Sequence, residues 1–281
     1  MPLEKKELPK PSLRLVLNPA SDEEYTHFEN AREAPFEPGT SDFSRVNAWW
    51  LSDASLLSYW EETTAKLRFE KAGLASELIE NQKSSTQCYV ASAGAFAIVA
   101  FRGTESGTLQ DLITDVRFDR TDWDGQPEEG VHSGFRSALD SVWDKLVAVK
   151  ELKGRGVWFT GHSLGAALAT LAGDRFRRSR EALGLGELRG IYTFGSPLVG
   201  NRAFVDGFNR RCGDRSYRFV NDRDAVTRVP PPIFGYRHVN TERFIGFDDP
   251  DVTLFMEPLI DHTPRRYAVL AWNTFVESTG S

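Results

Sequence analysis

The centre of the chain reads Val157-Trp158-Phe159-Thr160-Gly161-His162-Ser163-Leu164-Gly165-Ala166-Ala167-Leu168-Ala169-Thr170-Leu171-Ala172. An apolar run rich in β-branched and aromatic residues opens this stretch and predicts a buried strand. A run of Ala and Leu with high helix propensity closes it. Between the two stands Gly-x-Ser-x-Gly. The order of strand, glycine-flanked serine and helix is typical of a nucleophile elbow, a sharp turn that presents a serine hydroxyl.

The elbow is what nucleophilic catalysis by serine requires. A serine hydroxyl is a weak nucleophile unless a base removes its proton, so it must project from a turn that base and substrate both reach. Gly161 and Gly165 let the strand and helix backbones approach closely, and glycine tolerates turn dihedrals that are costly for other residues. We therefore predict that Ser163 is the nucleophile of an enzyme that hydrolyses acyl bonds.

The overall composition is that of an ordinary globular protein. Hydrophobic residues make up 40% of the 281 residues and charged residues 26%, close to the average. The net charge of −6 and the pI near 5.5 argue against a nucleic-acid partner. No apolar run approaches the roughly 20 residues that span a bilayer, and the charged segment from Met1 to Lys10 does not resemble a signal peptide. We expect no transmembrane segment and a cytoplasmic location, or secretion if the chain is a mature fragment.

The sequence gives no sign of a cofactor or a metal. Its two cysteines, Cys88 and Cys212, lie far apart and are expected to be free, buried thiols. Together with five scattered histidines they form no metal-ligand spacing. Since acyl hydrolysis by an activated serine needs neither group, we expect neither.

Strand and helix patterns alternate along the chain after an irregular amino-terminal arm. Residues 1–40 hold six of the fourteen prolines and are predicted to lie over the domain surface. Residues 41–281 are predicted to form a single α/β domain, with a mostly parallel central sheet and helices on both faces. Apolar runs on either side of Ala93-Gly94 predict a hairpin, and residues 139–150 an amphipathic helix. We expect residues 121–130 to be an acidic, solvated loop.

Two later segments supply candidates for the base and the acid. In α/β-hydrolases the acid and then the histidine follow the serine along the chain, which leaves His238 and His262 as bases. His262 is favoured because it lies in a loop before a predicted helix, whereas His238 lies in an extended segment. Asp222 and Asp224 both follow a predicted strand, where a carboxylate is well placed to orient the histidine. Spacing alone does not separate these two acids.

Further motifs accompany the elbow, and together they resemble the class 3 lipases, the fungal-lipase-like branch of the α/β-hydrolases. They run in that family's order from about residue 45 to 270 and are highly specific in combination. The matching blocks are Phe101-Arg102-Gly103-Thr104, Val131-His132-Ser133-Gly134-Phe135, Gly161-His162-Ser163-Leu164-Gly165, Tyr192-Thr193-Phe194-Gly195-Ser196-Pro197-Leu198-Val199-Gly200-Asn201, Asp224-Ala225-Val226-Thr227-Arg228-Val229-Pro230-Pro231, Tyr236-Arg237-His238 and Asp261-His262.

This resemblance implies an α/β-hydrolase fold with a catalytic triad and an oxyanion hole at the matching positions. The implied residues are Ser163, Asp224 and His262 for the triad, and the backbone N–H groups of Thr104 and Leu164 for the oxyanion hole. The register of the acid block selects Asp224 over Asp222, and His238 of the Tyr-x-His block is not catalytic in the family. Losing one oxyanion donor typically costs on the order of 3 kcal/mol of transition-state stabilisation.

Residues 105–117 are predicted to form a lid. Apolar residues recur there at helical spacing, and in the resembled lipases such a segment covers the acyl pocket and meets a lipid–water interface when it opens. The resemblance implies a triacylglycerol lipase that cleaves acylglycerol esters. The alternatives are an esterase or phospholipase A1-type enzyme acting on soluble or phospholipid esters, and a non-catalytic hydrolase-like binding module, against which the complete triad speaks.

Overall fold

A computed structural model describes most of the protein. The described residues are 3–12, 14–15, 18–21, 24–103, 118–221, 223–240, 242–246 and 257–280. Thr104, the predicted lid at 105–117 and the alternative acid Asp222 lie outside them. Among the described residues, no helix is both long enough and apolar enough to cross a membrane.

Strands and helices alternate as predicted. The strands are β1 (Ala75–Asn81), β2 (Thr86–Ala93), β3 (Phe96–Phe101), β4 (Arg120–Trp123), β5 (Gln126–His132), β6 (Gly156–His162), β7 (Glu187–Phe194), β8 (Ser216–Val220) and β9 (Glu242–Phe244). The helices are α1 (Arg45–Leu57), α2 (Glu62–Lys71), α3 (Ser133–Ala148), α4 (Leu164–Leu183), α5 (Arg202–Cys212), α6 (Glu257–Ile260) and α7 (Pro264–Thr279).

The central sheet has the strand order β1-β2-β3-β6-β7-β8-β9 over the described residues. Strand β2 pairs antiparallel with β1 and β3, which confirms the predicted hairpin. The other four pairings of this sheet, β3–β6, β6–β7, β7–β8 and β8–β9, are parallel. Strands β3 and β8 are buried along their whole length, as expected for strands that helices cover on both faces. The α/β prediction with a mostly parallel sheet is confirmed.

Two apolar cores lie on opposite faces of this sheet. One contains side chains from α1, α7 and the amino-terminal arm. The other contains side chains from α3, α4 and α5. Because the carboxyl ends of parallel strands share one edge of the sheet, the residues that follow β3, β6, β7 and β8 lie at that edge. Ser163 follows β6, Asp224 follows β8, and Arg102 and Gly103 follow β3.

The prediction of a solvated loop at residues 121–130 is wrong. These residues form most of the hairpin β4–β5, in which the Trp123 side chain is fully buried. Asp124 and Gly125 occupy the turn with φ angles of 44° and 74°, and Asp-Gly is a strong signal for such a turn. The acidic composition concealed this signal, since most of the segment is at least partly exposed and only the Trp123 ring, the Glu129 side chain and Gly130 are buried.

Helix α3 begins earlier than the predicted residues 139–150. It starts at Ser133, where the His132 side chain accepts a hydrogen bond from the Gly134 amide. That bond satisfies one of the free N–H groups of the first turn. Histidine is an uncommon cap, so the pattern of apolar residues alone placed the start too late.

The amino-terminal arm is irregular, and it contributes to the core. Tyr25, Phe28 and Phe36 are buried and pack in the same cluster as α1 and α7. Cys88 and Cys212 are free and buried, which confirms the expectation for the two thiols. Burial raises the pKa of both thiols far above the ordinary value, so neither is a reactive thiolate.

Candidate active site

Ser163 occupies the sharp turn between β6 and α4. Its φ and ψ are 58° and −128°, a region that residues with side chains adopt rarely and that marks functional strain. A Cβ atom on Gly161 would collide with the Gly165 backbone, and one on Gly165 would collide with the Phe101 carbonyl. The Ser163 amide donates to the Phe194 carbonyl over 3.0 Å, which fixes the turn against β7.

His262 and Asp224 lie in direct contact. The His262 Nδ1 atom is 2.9 Å from Oδ1 and 2.8 Å from Oδ2 of Asp224. Both side chains are buried, and the amide of Val226 donates to Asp224 Oδ1 over 2.9 Å. Since a carboxylate only accepts, Nδ1 carries the proton and Nε2 is the free ring nitrogen. This arrangement prepares Nε2 to take a proton from a nucleophile.

The His262 ring lies beside His162, which precedes Ser163, and beside Gly195, which follows β7. Its centroid is 4.4 Å from that of the His162 ring, and a Cβ on Gly195, at the end of β7, would be 3.0 Å from the His262 ring. Within the described residues, Ser163 Oγ and His262 Nε2 are both buried and without a hydrogen-bond partner. The structure therefore brings Asp224 into hydrogen-bond contact with His262. The Ser163 hydroxyl and His262 Nε2 form no hydrogen bond with each other.

Tyr267 is a member of the site that the sequence did not indicate. Its hydroxyl donates to Asp224 Oδ2 over 2.6 Å and accepts from the Asn221 amide over 3.0 Å. Burial, and then the negative charge of Asp224, raise the pKa of Tyr267 well above its ordinary value, so the hydroxyl remains a donor. The one available signal was a tyrosine five positions after His262, in the first turn of α7.

A chain of two buried hydrogen bonds supports the loop that carries His262. The His162 ring donates from Nε2 to the His262 carbonyl over 2.7 Å, because a carbonyl only accepts. Its Nδ1 therefore accepts from the Tyr59 hydroxyl over 2.9 Å. Burial, and then the neighbouring His262, lower the pKa of His162 well below the ordinary value. His162 is thus a neutral structural group, with both ring nitrogens in use.

His238, the alternative base, is occupied elsewhere. Its Nε2 atom is 2.6 Å from the Thr227 carbonyl. Burial, and then the charge of Arg218, lower the pKa of His238 to about 4. A ring nitrogen held by a backbone carbonyl is not available to a nucleophile.

Of the two predicted oxyanion residues, Leu164 is among the described residues. Leu164 is the first residue of α4, so its N–H belongs to the unpaired group at a helix N-terminus, where negative charge is stabilised. Thr104 lies outside the described residues. Gly103, just before it, packs so closely that a Cβ there would collide with the Tyr59 hydroxyl and the His162 carbonyl. Gly103 therefore lies beside the elbow.

Comparisons with known proteins agree with this geometry. A family model described as lipase (class 3) matches residues 98–234, from β3 through the acid and beyond. A secreted mono- and diacylglycerol lipase of Fusarium solani is 35% identical over 181 residues, which cover 61% of this chain and 52% of that protein. Over these residues the chain is similar to the class 3 lipases. It spans about half the length of this relative and of a Rhizomucor miehei lipase that is 33% identical over 158 residues, 54% of this chain and 42% of that one.

Solved structures of lipases share the fold of this chain. A triacylglycerol lipase, whose catalytic centre is described as a serine protease triad, has a TM-score of 0.63 and 28% identity, covering 71% of this chain and 79% of its own. Lipase II of Rhizopus niveus has a TM-score of 0.55 and 29% identity, covering 70% of this chain and 77% of its own. The predicted family and α/β-hydrolase fold are confirmed.

Proposed function

We propose that this chain is a serine carboxylic-ester hydrolase, most specifically a triacylglycerol lipase that cleaves acylglycerol esters. The observation that carries the proposal is the buried contact between His262 and Asp224, with Nε2 free beside the elbow of Ser163. The names of the relatives support the substrate class, since they are mono- and diacylglycerol lipases or lipases.

The mechanism follows from the roles that these atoms are free to play. His262 Nε2 takes the proton of the Ser163 hydroxyl while Oγ attacks the ester carbonyl. Asp224, holding Nδ1, stabilises the imidazolium that forms. The backbone N–H groups of Thr104 and Leu164 bind the developing oxyanion. The alcohol leaves with the proton from Nε2, and water then releases the fatty acid from the acyl-enzyme by the reverse route.

An activity assay with matched serine variants tests the proposal. Hydrolysis of tributyrin and of p-nitrophenyl esters from acetate to palmitate is expected from the wild type and absent in Ser163→Ala. Ser196→Ala is the control, because Ser196 is also buried and follows the neighbouring strand, but its hydroxyl donates to the Pro197 carbonyl. Equal turnover by wild type and Ser163→Ala, or no labelling of Ser163 by an organophosphonate, contradicts the proposal and favours a non-catalytic module.

The lid and the domain organisation are part of the same proposal. We propose that residues 105–117 cover the acyl pocket of one hydrolase domain formed by residues 41–281. A solved structure that is similar to this chain, a fungal lipase–inhibitor complex, is described as a model for interfacial activation in lipases. A jump in rate as triglyceride exceeds its solubility limit supports the lid. A smooth saturation curve, with preference for soluble or phospholipid esters, favours the esterase or phospholipase A1-type alternative.

The location of the protein is a further proposal. The expected cytoplasmic location has no support among the relatives whose names state a location, since those of Fusarium solani and Malassezia globosa are secreted lipases. We therefore propose secretion. Expression from the native gene, with ester hydrolysis measured in medium and cell lysate, tests this: activity confined to the lysate contradicts it.

A further inference from the structure

A turn beyond the candidate acid exposes two neighbouring apolar side chains. Ile233 is 88% exposed and Phe234 is 44% exposed. Single exposed apolar residues are normal on protein surfaces, whereas contiguous ones mark interaction sites. Residues 230–235, called the proline turn here, carry them in the order Pro-Pro-Pro-Ile-Phe-Gly.

The proline turn is held in one conformation by its own backbone. The Phe234 amide donates to the Pro231 carbonyl over 3.0 Å, and the Gly235 amide to the Pro232 carbonyl over 2.9 Å. Gly235 has a φ of 80°, which glycine adopts without steric cost. Because proline also restricts the backbone, little conformational entropy remains to be lost when Ile233 binds a partner.

Two arginines brace the proline turn from outside. Arg120 donates from Nη1 to the Phe234 carbonyl over 3.1 Å, and Arg237 donates from Nη1 to the Pro232 carbonyl over 3.0 Å. Both residues are exposed, and neither has an ion-pair partner in the part of the chain that the structure describes. The apolar pair is therefore bordered by two arginines that form no ion pair with the described residues, although Asp119 lies next to Arg120 in the chain.

The proline turn lies near the carboxyl edge of the sheet, the edge that also carries Ser163. It follows Asp224 by six residues, and the carbonyl of Val229 just before it accepts from the Leu198 amide at the carboxyl edge of the sheet. The Phe234 ring is 5.0 Å from that of Phe118, the first described residue after the predicted lid. A surface bound here would face the same edge as Ser163.

We propose that the proline turn binds the surface of an anionic phospholipid layer. Ile233 and Phe234 enter the boundary between headgroups and acyl chains, while Arg120 and Arg237 meet the lipid phosphates. Exposed apolar residues bordered by basic ones are the combination that such surfaces bind. The inference rests on the proposed function, because the purpose of this binding is to hold the candidate active site at the lipid surface. It concerns a different element from the lid.

Vesicle binding tests the proposal separately from catalysis. The probe is the Ser163→Ala protein, which leaves the lipid intact, sedimented with phosphatidylcholine vesicles that contain or lack phosphatidylglycerol. We expect Ile233→Asp to weaken binding to anionic vesicles roughly ten-fold. Arg237→Gln is expected to weaken it roughly five-fold, and only where phosphatidylglycerol is present. Thermal unfolding of Ile233→Asp should match that of the parent, because the Ile233 side chain packs against little.

Leu183→Asp is the matched control. Leu183 is also exposed, at 41%, but it ends the 20-residue helix α4 that begins beside Ser163, roughly 29 Å away along the helix. Its vesicle binding should equal that of the parent. The proposal is overturned if the parent does not bind anionic vesicles, if Ile233→Asp binds as the parent does, or if Leu183→Asp loses as much. Turnover of a soluble ester by the wild type reports the proposed function by itself.

Discussion

Replacing Tyr267 with phenylalanine tests whether the hydroxyl seen on Asp224 positions the candidate triad. The change removes a 2.6 Å hydrogen bond to Oδ2 and also the acceptor of the Asn221 amide. A hydrogen bond to a charged group is worth about 1.5–3 kcal/mol. We therefore expect the free energy of unfolding to fall by about 2 kcal/mol.

The effect on catalysis should be smaller than the whole value of that bond. Asp224 keeps His262 Nδ1 and the Val226 amide as partners, so the carboxylate stays close to the ring. Only the part of that hydrogen-bond energy that aligns Asp224 Oδ2 with His262 Nδ1 contributes to lowering the activation barrier. We expect kcat for p-nitrophenyl butyrate to fall about ten-fold, or about 1.4 kcal/mol, with KM unchanged. Asp224→Asn, which holds the wrong tautomer, should cost about 10⁴-fold.

A matched tyrosine separates positioning from general destabilisation. Tyr192 is also buried and its hydroxyl also serves a backbone amide, that of Ser44, over 3.1 Å. Tyr192→Phe should lose about 1 kcal/mol of stability, since its bond joins neutral groups, and keep its kcat. In the Asp224→Asn background, Tyr267→Phe should lower kcat no further, because residues that act as a unit are not additive. A wild-type kcat in Tyr267→Phe, or an equal loss in Tyr192→Phe, refutes the reasoning.

Three further predictions follow from buried charges and rings. His262→Ala should lower kcat on the order of 10⁶-fold, whereas His238→Gln should keep it, and a loss in His238→Gln would reopen the choice of base. Arg211 holds the fully buried Asp174 over 2.7 Å, so Arg211→Met should lower the free energy of unfolding by about 3 kcal/mol in urea titrations without changing kcat; an unchanged midpoint contradicts this. Burial raises the pKa of Asp53 from 3.8 to about 6, so its stabilising contribution is present below about pH 4 and is lost as the pH rises through about 6. The stability difference between wild type and Asp53→Asn should therefore be about 2 kcal/mol larger at pH 4 than at pH 7, and a difference independent of pH refutes it.

The elbow could be predicted from the residues because its constraints are local. Gly161 and Gly165 are required by contacts within a few positions of Ser163, and a strand followed by a helix is visible in the composition. The acid and the base are 38 residues apart, and no local pattern joins them. Their pairing came from the family resemblance, since only the folded sheet places Asp224 on His262.

Tyr267 and Trp123 show what the residue pattern conceals. Tyr267 lies in an apolar run of α7, where a tyrosine is indistinguishable from a packing residue until its hydroxyl is seen on Asp224. Trp123 lies among acidic residues, so the composition indicates solvent although the ring is fully buried. In both cases the side chain combines an apolar body with a polar atom, and the sequence shows only one of the two roles.

The position of the amino-terminal arm could have been inferred from helix α1 instead of from the arm itself. Every residue of α1 from Val46 to Leu57 is buried, and a helix without a solvated face must be covered on all sides. The sheet covers only one side. Asp53 is the informative residue, since a buried carboxylate requires donors, and these are the Tyr25 hydroxyl over 2.6 Å and the Phe28 amide over 2.7 Å. An acidic residue within an apolar helix thus predicts a further layer of chain, and the proline-rich arm was the segment available to form it.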